Sequence, residues 1–509
     1  MSSQVSILVV MIVYLVGMIG IGVYFSRTND NSAEGFYLGG RGLGPFVAAM
    51  SAEASDMSSY LLMGLPGLAY LTGTCDVGWT IIGLAAGTYL NWLLVAKKLR
   101  RYSIKINAIT IPDFFSKRYK DQKNILMCIA AIVIIIFFVP YTASGFKAVG
   151  TLFNSLFGVN YHAAMIVGAI VIVGYTVLGG FLAVSTTDLI QSIVMTFALI
   201  IIVFFGISAA GGWSEVVNNA KELPGYLSLT ATHDRASGAA APYGFFTVLS
   251  TLAWGLGYFG MPHILLRFMA VRDEKEIPLS RRIASIWVVI SMCVAVLIGI
   301  IGYSASVNGK IPMLTGSSSE SETVVVELSN LLAKNGLFAA IVAGVVLAGI
   351  LACTMSTADS QLLAAASSVS QNLMQDFLKI KMSEKASLLA ARITVGAIAL
   401  IALFLAWNPN SSVFTIVSFA WAGFGGAFGP IMLFSLFWKR TNFQGALAGM
   451  VSGGVMIFVW KYLIRPLGGG WNIYELLPAF VLSSVVIVVV SLLTPAPSQE
   501  IVKEFESVK

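Results

Sequence analysis

Four stretches of this 509-residue chain set polar and helix-breaking residues inside otherwise apolar runs. The first reads Ser51-Ala-Glu53-Ala-Ser55-Asp56-Met57-Ser58-Ser59-Tyr60, followed by Gly64-Leu-Pro66-Gly67. An interrupted helix frees carbonyl oxygens, and a hard monovalent cation needs a cage of such oxygens. The other reading is a helix whose polar residues only face neighbouring helices. The second stretch, Trp254-Gly255-Leu-Gly257-Tyr258-Phe-Gly260-Met261-Pro262-His263, predicts another broken helix. Trp254 and Tyr258, one turn apart, would offer aromatic faces to a small ring or alkyl chain, unless the glycines only pack closely and the aromatics mark the membrane interface. His263 is read as an orienting or packed residue. The third stretch, Cys353-Thr354-Met355-Ser356-Thr357-Ala-Asp359-Ser360-Gln361, puts Ser356 and Ser360 on one helix face. Its hydroxyls either bond back to their own backbone or complete a cation cage whose other half is the first stretch. The fourth, Ser185-Thr186-Thr187-Asp188 with Gln191 one turn on, is either an N-cap at the cytoplasmic face or a buried carboxylate that needs a cation or a water-filled cytoplasmic exit.

No enzyme motif competes with these stretches. The chain has no H-E-x-x-H, no nucleophile elbow and no Walker loop. Cys128, Cys293 and Cys353 lie in apolar runs and Cys75 in a short turn, so the cysteines have neither disulfide nor metal-ligand spacing. Neither a catalytic residue nor a cofactor is expected.

The elements that must position these residues are membrane helices. Hydrophobic residues make up 57% of the chain and charged ones 11%, and the mean hydropathy is +0.85. A bilayer-spanning helix needs about 20 apolar residues. Runs of that kind predict thirteen spans near 5–26, 44–71, 77–96, 124–153, 161–180, 184–212, 244–268, 282–306, 337–371, 386–408, 411–437, 443–464 and 472–494. The first run lacks the flanks of a signal peptide and is read as a permanent helix. Alternate connections split the 31 Lys and Arg residues 24 to 7, with Arg267 in the richer set and Lys147 in the poorer. By the positive-inside rule the N-terminus lies outside and the C-terminus in the cytoplasm. The basic residues are spread over many loops, which argues against nucleic acid. The connections 213–243 and 307–336 fall on the outer face, each as a loop, short helix or gate.

The two broken helices lie five spans apart, the offset of a five-plus-five inverted repeat with its site between them. The expected fold is therefore an all-α polytopic membrane protein with a leucine-transporter-like core. Residues 1–43 hold a first helix and cytoplasmic loop, 44–212 and 213–408 the two repeats, 409–495 additional helices and 496–509 a cytoplasmic tail.

Five motifs tie this reading to a family. Tyr37-Leu-Gly-Gly-Arg41, Ala54-Ser-Asp56-Met57-Ser58, Trp254 to His263, Met355-Ser356-Thr357 and Ala420-Trp421-Ala-Gly-Phe-Gly occur in order. They resemble the sodium:solute symporters over most of the chain, and within them the bacterial sodium/proline symporters. The resemblance implies a sodium site made of the carbonyls of Ala54, Met57 and Cys353 with the hydroxyls of Ser356 and Thr357. It implies that Asp56 is essential for coupling and that Ser58, Tyr141, Trp254, Tyr258 and Pro262 line or shape a proline pocket. Asp188 matches an acidic position on the ion's inward route or at a second sodium site. Glu53, Ser59, Tyr60, Met261 and Asp359 stand where the pattern has Gly, Gly, Trp, Gln and Ser. Ser59, Tyr60 and Met261 flank the expected pocket. Glu53 and Asp359 add carboxylates, which implies either a second cation site with Asp188, Asp359 and Ser360 or a titratable group that makes transport pH-sensitive.

The function expected is uptake of a small zwitterion, L-proline first, with sodium as the co-transported ion, at the cell membrane. Alternatives are sodium-coupled transport of another small amino acid or a monocarboxylate, proton coupling, and more remotely a transporter-like sensor; the short tail after Pro495 offers no signalling domain. A channel is disfavoured because the polar positions form local clusters rather than a continuous pore lining. No obligate protein partner is evident from the sequence.

Overall fold

The computed structural model describes residues 3–28 and 33–508. The chain is mostly helical, as lipid demands: a bilayer offers the backbone no hydrogen bonds, so each crossing must satisfy its own. Among the described residues, ten helices are long and apolar enough to cross a membrane, from Ser3–Phe25 to Leu476–Leu493. Shorter apolar helices include Tyr60–Thr72 and Phe245–Gly260.

Both expected interruptions are present. The first broken helix runs Pro45–Met57 and resumes at Tyr60. Between them Ser58 has a left-handed backbone, φ 49°, a conformation uncommon for a residue with a β-carbon. The second broken helix is a 3-10 segment, Ala253–Gly260, followed by extended Met261 and the α-helix Pro262–Ala270. Pro262 lacks an N–H and suits the first turn of that helix.

The runs at 161–180 and 184–212 are two helices within Tyr161–Ala209 that meet at a sharp kink at Gly180, where φ is +62° and ψ −164°; two other expectations change. A β-carbon at Gly180 would sit 2.9 Å from the Phe36 ring, so the bend also seats the segment before the first broken helix. Cys75 lies in the opening turn of the helix Thr74–Leu90, and it is buried rather than placed in a loop. Arg267 and Lys147, counted by sequence among loop charges, both lie inside helices and are fully buried. A stretch of apolar residues hides one charge whose partner comes from a distant helix.

The helix Leu337–Ser367 packs along Tyr161–Ala209 and touches the first broken helix and Ile125–Phe157. Val413–Phe437 packs on the second broken helix. The connection after Ala209 forms the helix Trp213–Glu222 and a hairpin in which Ala231–Asp234 pairs antiparallel with Ala239–Pro242. The connection before Leu337 carries the helices Ser318–Ser321 and Val324–Ala333. There the carboxylate of Glu322 accepts the Ser412 hydroxyl and the N–H groups of Val413 and Phe414, with Lys147 Nζ 3.6 Å away. Arg41, from the sequence motif Tyr37–Arg41, donates to the carbonyls of Ala108 and Met269 and ties the segment before the first broken helix to the end of the second.

Thr74–Leu90 crosses the second broken helix backbone to backbone. A β-carbon at Gly87 would lie 2.3 Å from the Gly255 carbonyl oxygen. Gly87→Leu is therefore expected to cost about 3 kcal/mol or more by overpacking. It should remove the monodisperse protein peak in detergent, while Gly396→Ala, with open space around it, should leave that peak intact.

Candidate functional site

The last four carbonyls of a helix have no intrahelical partner. In the first half of the first broken helix these belong to Ala54, Ser55, Asp56 and Met57. Two are met by side chains from other helices. Ser356 Oγ donates to Ala54 O at 2.8 Å, and the Tyr141 hydroxyl to Asp56 O at 3.3 Å. Ser356 Oγ also lies 3.2 Å from Cys353 O, and Thr357 Oγ1 3.2 Å from the same carbonyl. Oxygen atoms of Ala54, Cys353, Ser356 and Thr357 thus converge beside the helix break, with Met57 as its last helical residue. Main-chain and hydroxyl oxygens of this kind suit a hard cation.

The second broken helix is answered in the same way. Trp421 Nε1 donates to Trp254 O at 2.8 Å and Asn91 Nδ2 to Tyr258 O at 2.9 Å. The Tyr258 hydroxyl donates to Asp56 Oδ2 and so joins the two interruptions directly. Above this bond lies a small cavity lined by Asp56, Met57, Tyr60, Leu84, Tyr141, Trp254, Met292, Val417 and Trp421. Its aromatic lining, Tyr60, Tyr141, Trp254 and Trp421, is backed by the rings of Phe414 and Tyr474. Tyr60 stacks on Trp254 with ring centroids 6.0 Å apart, Phe414 lies 5.6 Å from Trp254, and Tyr474 stacks on Trp254 at 5.0 Å. The hydroxyls of Tyr60 and Ser59 are buried without a hydrogen-bond partner. Ser58 Oγ accepts the N–H of Tyr60 at 3.1 Å and helps to hold the turn.

One turn before Ala54, at the middle of the first half-helix, Asp188 Oδ2 accepts Ser51 Oγ at 2.6 Å and pairs with Arg267 Nη2 at 3.0 Å. Arg267 also donates to Ser51 Oγ, His263 O and Ser360 Oγ. Asp359 accepts the Tyr175 hydroxyl at 2.8 Å and Ser360 Oγ at 3.2 Å. Asp188 thus pairs with the guanidinium directly, and Asp359 is linked to it through the Ser360 hydroxyl. Asp188 Oδ1, Ser185 Oγ and the Gln191 amide are buried with no protein partner.

The comparisons with known proteins give this geometry its family. The profile of the sodium:solute symporter family matches residues 36–453. The chain belongs to the sodium:solute symporter family. It is 42% identical to the sodium/proline symporter of Salmonella typhimurium, over 99% of this chain and 96% of that protein. It is equally close to the sodium/proline symporter of Escherichia coli. It is 39% identical to the osmoregulated proline transporter OpuE of Bacillus subtilis, covering 97% of this chain and 96% of that one. Among solved structures it resembles a Na+-coupled sialic acid symporter in a substrate-bound outward-open state. That likeness has a TM-score of 0.77 at 17% identity and covers 97% of this chain and 99% of the other. A nucleobase-cation-symport-1 family transporter in a closed conformation gives a TM-score of 0.53 at 14% identity, covering 93% of this chain and 98% of that one. The fold is that of the leucine-transporter-like secondary transporters. This chain is a multi-pass cell-membrane transporter and not an enzyme.

Within this symporter, most sequence-selected residues fall into the two clusters. Ala54, Asp56, Cys353, Ser356 and Thr357 meet at the first break, and Tyr60, Tyr141 and Trp254 line the cavity with Asp56 and Met57. Asp188, Asp359 and Ser360 form the second cluster. Met261 and Pro262 shape the second break and do not line the cavity, and Ser59 is buried behind it. Asp188 is not an N-cap: the helix runs through 185–188, and Thr186 and Thr187 bond back to Leu182 and Ala183. His263 is fully buried with both ring nitrogens unpartnered. Sequence reasoning missed Arg267, Tyr175, Phe414, Trp421 and Tyr474 as members of these clusters. A lone arginine near the end of an apolar run was the available signal for Arg267.

Removing Arg267 leaves Asp188 buried without its cation, a change that typically costs about 3–5 kcal/mol. Arg267→Met is expected to lower the melting temperature in detergent. Adding Asp188→Asn should recover most of the loss, whereas independent effects of the two changes would contradict the pairing.

Proposed function

We propose that this protein couples sodium influx to uptake of L-proline by alternating access. The observation that carries this reading is the oxygen cluster of Ala54, Cys353, Ser356 and Thr357 at the first helix break, in a chain similar over its full length to sodium/proline symporters. Sodium binds there, with Met57 O as a further ligand, and bridges the first broken helix to Leu337–Ser367. The solute binds in the cavity beside Asp56, its carboxylate toward a half-helix N-terminus and its ring against Trp254 and Tyr60. Asp56 links the two, because Tyr258 on the substrate side donates to its carboxylate. Each ligand stabilises the same arrangement of the two broken helices, and that shared preference is the coupling.

The topology proposed has thirteen crossings with the N-terminus outside and the C-terminus in the cytoplasm. The bent element Tyr161–Ala209 supplies two of them and each broken helix one. Residues 44–212 and 213–408 form the inverted repeats. A second cation site at Asp188, Asp359 and Ser360 is supported by two carboxylates against one arginine and by the unpartnered Asp188 Oδ1.

A second substrate, another small amino acid or a monocarboxylate, is favoured by one feature: Tyr60 places an unpartnered hydroxyl in the cavity wall. Uptake of labelled L-proline into proteoliposomes, with and without an inward sodium gradient and against unlabelled competitors, decides between them. Sodium-stimulated proline uptake is expected. Stronger inhibition by another solute would transfer the pocket to that solute.

In the same assay Asp56→Cys should abolish sodium-dependent uptake. Trp254→Ala should raise the apparent KM for proline by about 10-fold or more, the loss of one stacked aromatic contact with its buried area, and change sodium affinity less. Near-normal uptake by Asp56→Cys at low sodium would contradict its coupling role. Asp359→Ser should lower the sodium Hill coefficient toward one; an unchanged coefficient would remove the second cation site.

A further inference from the structure

Between the second part of Tyr161–Ala209 and the helix Ile277–Val307 lies a groove of about 480 Å³, which Phe46 and Met50 of the first half-helix also line. Both flanking elements are long and apolar enough to cross a membrane, so the groove opens at bilayer depth. Phe197, Ile286 and Ile290 in its walls are each more than half exposed. Its three polar lining residues turn their polar atoms away from it. Trp287 Nε1 donates to Thr196 Oγ1 at 2.9 Å, Thr196 Oγ1 to the Ser192 carbonyl at 2.7 Å and Ser291 Oγ to the Val288 carbonyl at 3.2 Å. With those groups satisfied internally, the groove offers a polar solute nothing and a hydrocarbon chain a full set of contacts. The lining runs from Ile283 to Val294, about 16 Å of helix, which holds much of one extended acyl chain.

A cation stands at one end of this lining. Arg282 precedes Ile283, is exposed, and shares a helix face with Ile286 one turn on. The acids just before it in the chain are engaged elsewhere: Glu274 with Arg101, Glu276 with Arg272, and Asp273 with the N–H of Lys275. Arg281 turns away, its guanidinium over the Tyr89 ring. Arg282 is thus left without a carboxylate partner among the described residues. It lies at the end of the helix proposed to face the cytoplasm, where headgroups meet the hydrocarbon. A guanidinium fork beside an apolar slot matches the two halves of a phospholipid, a phosphate and a chain.

We propose that this groove binds one anionic phospholipid, with a chain against Phe197, Ile286 and Ile290 and its phosphate on Arg282. Phe46 and Met50 bring that chain against the half-helix that ends in the carbonyls of Ala54 and Met57. The affinity for the lipid therefore depends on where the half-helix stands, and the lipid biases its position in return.

Trp287 lines the groove and reports its occupant. Full-length protein in vesicles is compared with Trp287→Phe, so that the difference in emission isolates this indole, while phosphatidylglycerol or phosphatidylcholine with brominated chains is added as quencher. Phosphatidylglycerol should half-quench Trp287 at an about fivefold lower share of the lipid, the worth of one arginine near an anionic headgroup. Arg282→Gln should erase that difference and leave quenching by phosphatidylcholine in place. Ile286→Phe with Ile290→Phe, which narrows the groove and keeps every charge, should weaken quenching by both lipids. Equal quenching by the two lipids in the wild type, or a preference that survives Arg282→Gln, overturns the proposal. So does a narrowed groove that alters the particle mass in detergent and not the quenching, since the surface would then be an interface between copies. The measurement needs neither sodium nor proline, so its outcome is independent of the symport reading.

Discussion

A helix that stops within a bilayer frees backbone carbonyls that no water can reach, and something must meet them. Four carbonyls end at Met57, because Ser58 takes a left-handed turn that the helix cannot follow. The answers come from other helices: a serine from Leu337–Ser367 and a tyrosine from Ile125–Phe157. The second interruption is met by Trp421 and Asn91. Each break therefore draws two further helices into fixed register, and the oxygen cluster at the first break and the cavity are consequences of those obligations. The sodium proposed at the first break would satisfy the same oxygens that the protein bonds internally.

Such contacts need backbones close together. Gly83, Gly87 and Gly255 let the helix Thr74–Leu90 touch the second broken helix without side chains between them. In lipid this close packing does the work that hydrophobic burial does in water. It also fixes Asn91 and Trp92, which follow on the same helix, against Tyr258 and Glu53.

Charge is distributed unevenly around the first half-helix. At its middle, Ser51 meets Asp188 and Arg267, with Asp359 linked through Ser360, and its last turns hold Glu53 and Asp56 with indole and hydroxyl donors but no cation. The whole core carries more carboxylate than guanidinium. A carrier of cations can use such an excess, since the imbalance is relieved when an ion or a proton arrives.

The amino-acid sequence by itself determined that this is a membrane protein, where its helices run and where two of them break. Long apolar runs, Gly-Pro clusters and hydroxyl-rich turns act locally and are read locally. It also marked Asp56, Trp254, Ser356 and Thr357, because polar groups in apolar runs are costly enough to stand out. Only the tertiary structure decided which charges meet. Arg267 reads as a loop cation beside a span, and Lys147 as an outer charge. Both are buried against acids 79 and 175 positions away in the chain, Asp188 and Glu322. The aromatic cluster of Tyr60, Trp254, Phe414 and Tyr474 and the kink at Gly180 that splits Tyr161–Ala209 were likewise settled in three dimensions. Pairings between distant helices depend on packing angles and glycine contacts, and these leave no periodic signal along the chain.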